Sequence, residues 1–333
     1  MSDLPSILVY ADLELPGYSR RRRGRGFSYF GIGGKPIRRE SLLTYCKSLT
    51  IPPAWNDVWI SRNEQAHILC TGIDARKRKQ YIYHPLWQEH QNLSKFDGLV
   101  GFAQQLAEIR KSVKTDMAKA PLSKQRVLAT AVKLIDIGLI RVGNDAYMKS
   151  NKTYGATTLK QKHVDVSGQQ VSLSFLGKSG KQREIDIKDV ALARRLKECQ
   201  ELPGQRLFQY QATNGRIVAI SSSDVNDYLK RISGEAYTAK TFRTWGGTVA
   251  ALHYSLSGMQ VDGTDTNWSK LEKKSVQYAA RKLGNTVAVA RKYYIHPDLL
   301  SAIASGTLPS AVGRARKGLS KQESAVLRML KSK

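Results

Sequence analysis

The chain reads as an α+β protein, with a small β-rich N-terminal domain followed by a mainly α-helical domain that carries one β-hairpin. Three observations predict this. From Phe27 to about Gln91, aromatic and β-branched residues recur between the turn formers Gly31-Ile32-Gly33-Gly34, Pro52-Pro53 and Gly72, the pattern of short strands. Beyond about residue 95 the apolar spacing changes to three and four residues, the period of a helix face. Inside that helical part, Val171 to Phe175 and Arg183 to Ile187 alternate apolar and polar residues around Leu176-Gly177-Lys178-Ser179-Gly180-Lys181, which signals a hairpin.

Taken in order, residues 1–19 carry few charges, and Arg20-Arg21-Arg22-Arg23-Gly24-Arg25-Gly26 then reads as a solvated basic arm suited to phosphate contacts. Ile51-Pro52-Pro53-Ala54-Trp55 precedes the strand Val58-Trp59-Ile60. The stretch from Gly72 to Pro85 contains Arg76-Lys77-Arg78-Lys79-Gln80-Tyr81-Ile82-Tyr83. Alternation puts Gln80, Ile82 and His84 on one strand face and Tyr81 and Tyr83 on the other. Cations followed by alternating tyrosines suit a nucleic-acid surface, and equally an edge strand with half-buried rings. Residues 92–98 read as a linker, which divides the chain into domains 1–95 and 96–300 and a basic C-terminal tail 301–333.

Helices are expected over Leu99–Lys119, Ser123–Ile140, Ser221–Ser233, Ala239–Leu256 and Trp268–Leu283. Gly284 can close the last of these. Asn285 and Thr286 can cap the next, and Pro297 ends it, so Tyr293 and Tyr294 fall in a short, well-bounded helix.

The bulk numbers bound the function classes. With 333 residues the chain can form two cores, and its 41% hydrophobic content is ordinary for a globular protein. No apolar run reaches about eighteen residues, and residues 1–17 lack a basic start followed by an apolar core, so neither a membrane span nor a signal peptide is expected. A cytoplasmic, nucleoid-associated protein is the expectation. Cys46, Cys70 and Cys199 are widely spaced, which argues against a disulfide framework and a zinc site. The net charge of +27 draws a polyanion, for which nucleic acid is the natural candidate. A basic DNA-binding protein without catalysis would have the same composition.

Candidate chemistry lies further along. Gly177-Lys178-Ser179 resembles the end of a phosphate-binding P-loop, but Ser172 stands where that motif needs glycine and a strand follows where it needs a helix. Arg141 follows an apolar helix in Ile140-Arg141-Val142-Gly143-Asn144, with Tyr154-Gly155-Ala156-Thr157-Thr158-Leu159 behind it. Lys178 crowns the hairpin, and Arg243 lies in Lys240-Thr241-Phe242-Arg243-Thr244-Trp245-Gly246-Gly247-Thr248. Attack of a tyrosine on a phosphodiester loads charge onto two non-bridging oxygens and requires a proton for the departing oxygen. Guanidinium groups answer the first need, and an ammonium can answer the second.

The order of arginine, hairpin lysine, K-x-x-R, polar residue and a tyrosine nine positions later resembles a bacterial type IB DNA topoisomerase of the compact, poxvirus-like kind. The likeness runs over about residues 25–300, through I-P-P-A-W, R-K-Q-Y-x-Y-H-P, R-V-G-N, the G-K-S-G hairpin, K-T-F-R-T-W and L-G-N-T to Y-Y-I-H-P. It implies relaxation of supercoiled duplex DNA through a transient nick and a 3′-phosphotyrosyl intermediate. Tyr294 would be the nucleophile, Arg141 and Arg243 would hold the non-bridging oxygens, and Lys178 would protonate the 5′ oxygen. Gln80, Tyr81 and Tyr83, with Arg78 and Lys79 beside them, would touch DNA. Asn285 stands where many members carry histidine, and an amide can donate to a phosphoryl oxygen but cannot exchange a proton as a base.

Exchanging one phosphoester for another conserves the bond, and no Asp-x-Asp pair is visible, so no ATP, metal or other cofactor is expected. The expected partner is double-stranded DNA, clamped by a monomer. A tyrosine site-specific recombinase shares the catalytic set, but it would usually show H-x-x-R at 240–243 and histidine at 285.

Overall fold

The computed structural model describes residues 4–262, 266–308 and 313–332, and the chain divides into two compact units, residues 1–97 and 98–333. The first unit contains β1 (Tyr18–Arg23), β2 (Gly26–Phe30), α1 (Glu40–Ser48), β3 (Asn56–Ile60), β4 (Ile68–Ile73), β5 (Lys79–Tyr83) and α2 (Pro85–Asp97). Its strands form an antiparallel sheet in the order β2-β1-β3-β4-β5. Ile68 to Gly72 of the inner strand β4 are buried throughout. Leu69 and Cys70 pack with Tyr45 and Cys46 of α1 and with Leu49, Ile51, Val58 and Ile60. Burial pushes the Cys46 thiol up to about 11 and that of Cys70 up to about 12, so both behave as small apolar residues.

The arginine run is not a solvated arm. Arg20 to Arg23 lie in β1, paired with Gly26 to Tyr29 across a turn at Gly24, whose φ is +57°. Strand alternation turns Arg20 inward, where it is 7% exposed. Its guanidinium donates to the carbonyls of Ile51 (2.6 Å), Pro52 (2.8 Å) and Trp55 (3.0 Å). The I-P-P-A-W segment is thus a receptor for Arg20, because a turn carrying two prolines leaves carbonyls that no strand neighbour takes. Arg21, Arg22 and Arg23 remain exposed.

Residues 92–98 are not a linker either. Helix α2 continues through Asp97, and the break before the next helix is Gly98 alone. The short polar residues Asn92 and Ser94 sit in a helix that ends at the buried Phe96 and its neighbour, where tertiary packing outweighs weak propensity.

The second unit is mainly helical. It contains α3 (Leu99–Asp116), α4 (Lys124–Gly138), α5 (Asp145–Asn151), β6 (Val164–Ser167), β7 (Gln170–Leu176), β8 (Gln182–Lys188), α6 (Val190–Gln200), β9 (Gln209–Gln211) and β10 (Ile217–Ala219). There follow α7 (Ser222–Ser233), α8 (Ala239–Asp262), α9 (Trp268–Leu283), α10 (Val287–Tyr294), α11 (Pro297–Ala304) and α12 (Lys321–Lys331). Helix α4 is buried along most of its length, and α3, α6, α7 and α8 pack against it. Phe102 of α3 meets Phe242 of α8 edge to face at 5.0 Å, which fixes the helix that carries Arg243.

The expected hairpin is β7–β8, and β6 joins it as a third strand in the order β6-β7-β8. The last residues are not a tail. In α12, Ala325, Val326, Leu327 and Leu330 are buried while Lys321, Arg328 and Lys331 face outward. Glu323 accepts hydrogen bonds from Arg110 (2.8 and 3.0 Å) and from the Trp245 indole (3.2 Å), which ties α12 to α3 and α8. Among the described residues no helix is long and apolar enough to cross a membrane.

Candidate active site

Helix α4 stops because Leu139 adopts the left-handed conformation, with φ +49°, and the chain then turns into Arg141. The Arg141 and Val142 carbonyls accept from the Ala156 and Thr157 amides, both at 2.8 Å. A Cβ on Gly155 would lie 2.5 Å from the Arg141 carbonyl oxygen, so only glycine permits this approach. Tyr154 to Thr158 therefore serve as a backbone clamp on Arg141.

Arg243 lies near the start of α8 and is 2% exposed. One terminal nitrogen donates to the Leu139 carbonyl and the other to that of Leu283 at 3.0 Å, so this side chain joins the ends of α4 and α9. Those carbonyls are the unpaired groups a helix end leaves over. Tyr294 is the last residue of α10, half-buried, with the Arg243 guanidinium carbon 5.1 Å from its ring centroid. A Cβ on Gly247 would come within 2.6 Å of the Tyr294 carbonyl oxygen, which explains the small residues after Arg243. Thr248 Oγ1 donates to the Thr244 carbonyl at 2.9 Å, accepts from the His296 amide at 3.0 Å and lies 3.5 Å from the Tyr294 carbonyl oxygen. Sequence reasoning missed this anchor, although the threonine in Gly-Gly-Thr was its one local trace.

Gly284, with φ +61°, closes α9 and Thr286 caps α10, accepting from the Val289 amide at 3.3 Å. Asn285 is not a cap. Its Oδ1 accepts from Arg141, and its Nδ2 is buried without a partner. Nor does Pro297 end the tyrosine helix, since α10 stops at Tyr294 and Pro297 begins α11 behind the cap His296.

Arg141, Lys178, Arg243 and Tyr294 line one cavity of about 340 Å³, together with Lys240 and Tyr147. Lys178 stands exposed on the hairpin turn, beside Ser179 and Gly180 at φ +67° and +69°. Burial first of all pushes the pKa values of Arg141 and Arg243 down. The charge of Arg141 lowers Arg243 further, and Tyr294 acts in the opposite sense on both. Among the described residues no carboxylate pairs with Arg141, Lys178 or Arg243, and Arg243 Nε is buried without a partner. Like charges held together without a counterion make a receptor for an anion.

The remaining candidates lie in the first unit, on the edge strand β5 and the turn before it. Tyr81 and Tyr83 stack at 5.8 Å, with Lys79 Nζ 5.9 Å from the Tyr81 ring. Arg78 pairs with Asp74 at 2.8 Å, and Gln80 donates to the same carboxylate at 2.9 Å. Hydrogen bonds from the Arg78 backbone and side chain hold Asp74 down at about 2. Among the described residues no group of three or more His, Cys, Asp or Glu is arranged to hold a metal ion.

Comparison with known proteins defines the class. Residues 77–307 match the family described as eukaryotic DNA topoisomerase I, catalytic core, and residues 26–74 match the bacterial DNA topoisomerase IB N-terminal domain. The chain belongs to the type IB DNA topoisomerases, enzymes whose substrate is DNA, which sets aside the recombinase and the non-catalytic binder. The DNA topoisomerase 1B of Acanthamoeba polyphaga mimivirus is 30% identical over 288 residues, covering 84% of this chain and 85% of the viral one. The DNA topoisomerase 1B of vaccinia virus (strain Copenhagen) is 21% identical over 237 residues, 71% of this chain and 72% of its own. The DNA topoisomerase 1 of Mycosarcoma maydis matches 44% of this chain at 28% identity.

Proposed function

We propose that this topoisomerase relaxes supercoiled duplex DNA by transient cleavage of one strand through a 3′-phosphotyrosyl intermediate, followed by religation, without ATP or metal. One observation carries the reading: Arg141, Lys178, Arg243 and Tyr294 line the same cavity, and Arg243 and the Arg141 partner Asn285 each keep a buried donor without a partner. A phosphate seated there would find Arg243 already fixed by two carbonyls, with Nε–H and one further N–H on each terminal nitrogen left for the non-bridging oxygens. Arg141 and Asn285 hold each other and approach the phosphate as a pair.

The Tyr294 oxygen forms a bond to phosphorus, and the bond from phosphorus to the 5′ oxygen breaks. The phenolic proton passes to water, a loss favoured by the positive potential of the two guanidinium groups. Lys178 Nζ delivers a proton to the departing 5′ oxygen. Religation runs the same steps in reverse, and the phosphotyrosyl ester conserves the energy of the phosphodiester, which removes any need for a nucleotide.

Tyr81 and Tyr83 on β5 offer a stacked aromatic face beside Lys79, suited to a sugar-phosphate backbone. Arg78 and Gln80 reach DNA only by sharing or leaving Asp74. We read the enzyme as a monomer that closes on duplex in the nucleoid, supported by candidate contact residues in both units. Incubation with supercoiled plasmid in excess chelator and no nucleotide tests the reading. Ladders of relaxed topoisomers are expected, and a plasmid that stays supercoiled until metal or ATP is added would refute it.

A further inference from the structure

We propose that Arg183 is a positioning residue for Lys178, anchoring the lysine hairpin to the last turn of α9 and thereby setting how fast the leaving oxygen is protonated. The proposal rests on the reading of Lys178 as proton donor.

Strand β6 pairs only with Gln170 to Leu173 of β7, so Ser174 to Leu176 and Gln182 to Glu184 continue beyond it as a two-stranded ribbon with Lys178 at its end. Such a ribbon is marginal by itself. On the β7 side it is tied by the Tyr154 amide, which donates to the Leu176 carbonyl at 2.7 Å. On the β8 side the tie is Arg183, five residues from Lys178. Its two terminal nitrogens donate to the carbonyls of Arg281 (3.0 Å) and Lys282 (2.9 Å), at the negative end of α9.

The sequence makes room for this contact from both sides. A Cβ on Gly177 would meet Arg183 Cγ at 3.0 Å, and one on Gly284 would meet Cδ and Nη1 at 2.6 Å. Arg183 thus lies in a slot between the hairpin glycine and the glycine that precedes Asn285. The tie therefore joins the turn carrying the proton donor to the segment that leads into the nucleophile's helix.

Single-turnover cleavage of two duplexes with one mapped cleavage site tests this, one with oxygen and one with sulfur at the bridging 5′ position. With sulfur, the P–S bond breaks and a thiolate departs without needing a proton. On the oxygen substrate Arg183→Ala and Lys178→Ala should each be slower by about 100-fold, the usual worth of a general acid. On the sulfur substrate both should run within about threefold of wild type, because only proton delivery has been impaired. Arg183→Lys, which retains charge but cannot fork onto two carbonyls, should fall between, and it carries the test if Arg183→Ala loses its melting transition. An Arg183→Ala or Arg183→Lys enzyme equally slow on both substrates while Lys178→Ala recovers would overturn the positioning role and leave the lysine's role intact. Failure of Lys178→Ala to recover would overturn both.

Discussion

At the scale of single residues, the site is a set of donors whose other bonds are already made. Arg243 is pinned by two helix-end carbonyls, and Arg141 has its backbone held by the Tyr154–Thr158 clamp and its guanidinium by Asn285, so on the proposed mechanism neither needs a large rearrangement when charge develops on phosphorus. Tyr294→Phe removes the proposed nucleophilic oxygen and its interaction with Arg243, and leaves the two carbonyl bonds of Arg243 in place. It should abolish relaxation and the covalent adduct while duplex affinity, read by fluorescence anisotropy, stays within about twofold. Tyr293→Phe should retain activity, and an inactive Tyr293→Phe enzyme would move the nucleophile to the neighbouring position. In the proposed mechanism Asn285 supplies a hydrogen bond and, as an amide, neither gains nor loses a proton during the reaction. Asn285→Ala should therefore slow cleavage by about 100-fold without altering the shape of the pH–rate profile, and a lost limb in that profile would contradict the assignment. The residue types of the proposed site were legible because phosphoryl transfer calls for cations around a nucleophile, and their order along the chain because it matches that of the type IB family. The embrace of Arg141 and Asn285 was not, because their 144-residue separation leaves no local pattern.

At the scale of elements, legibility followed the range of the forces involved. Helix α9 runs from Trp268 to Leu283 as its Asn267 and Gly284 caps specify, and α4 spans Lys124–Gly138 within the expected Ser123–Ile140. The β7–β8 hairpin carries its own alternation and turn. Elements that depend on distant partners escaped: Arg20 needs the Ile51–Trp55 carbonyls, and β9 and β10 are three residues each, too short for any period to register. Helix α12 looked like a basic tail because its charges lie outside while its apolar residues meet α8 and α3.

Gly247→Ala probes the contact between α8 and α10. The added methyl contributes about 1 kcal/mol of helix propensity but must displace the Tyr294 backbone or Leu283, at a cost of about 1–3 kcal/mol. Chemical denaturation should show a net loss of at most about 2 kcal/mol. Cleavage should slow at least tenfold, because displacing an attacking group by about 1 Å can cost about 100-fold in rate. Unchanged cleavage would show that this packing does not aim the phenol.

At the scale of the whole molecule, a net charge of +27 governs how DNA is found and held. Neutralising about six phosphates or more predicts that the logarithm of duplex affinity falls against the logarithm of salt with a slope near −5 or steeper. Tyr294→Phe should share that slope, since on the proposed mechanism charge does the holding and the phenol does the cutting. A shallow slope would place binding on other contacts. The most direct test of the account is to stop the reaction on intact duplex carrying a mapped cleavage site with denaturant, in chelator and without nucleotide, then digest and sequence the peptide left on the DNA. The account predicts Tyr294 joined to a 3′ phosphate with a free 5′ hydroxyl on the other side of the break. A peptide joined through Tyr293, a link to the 5′ side, or no adduct at all would contradict it.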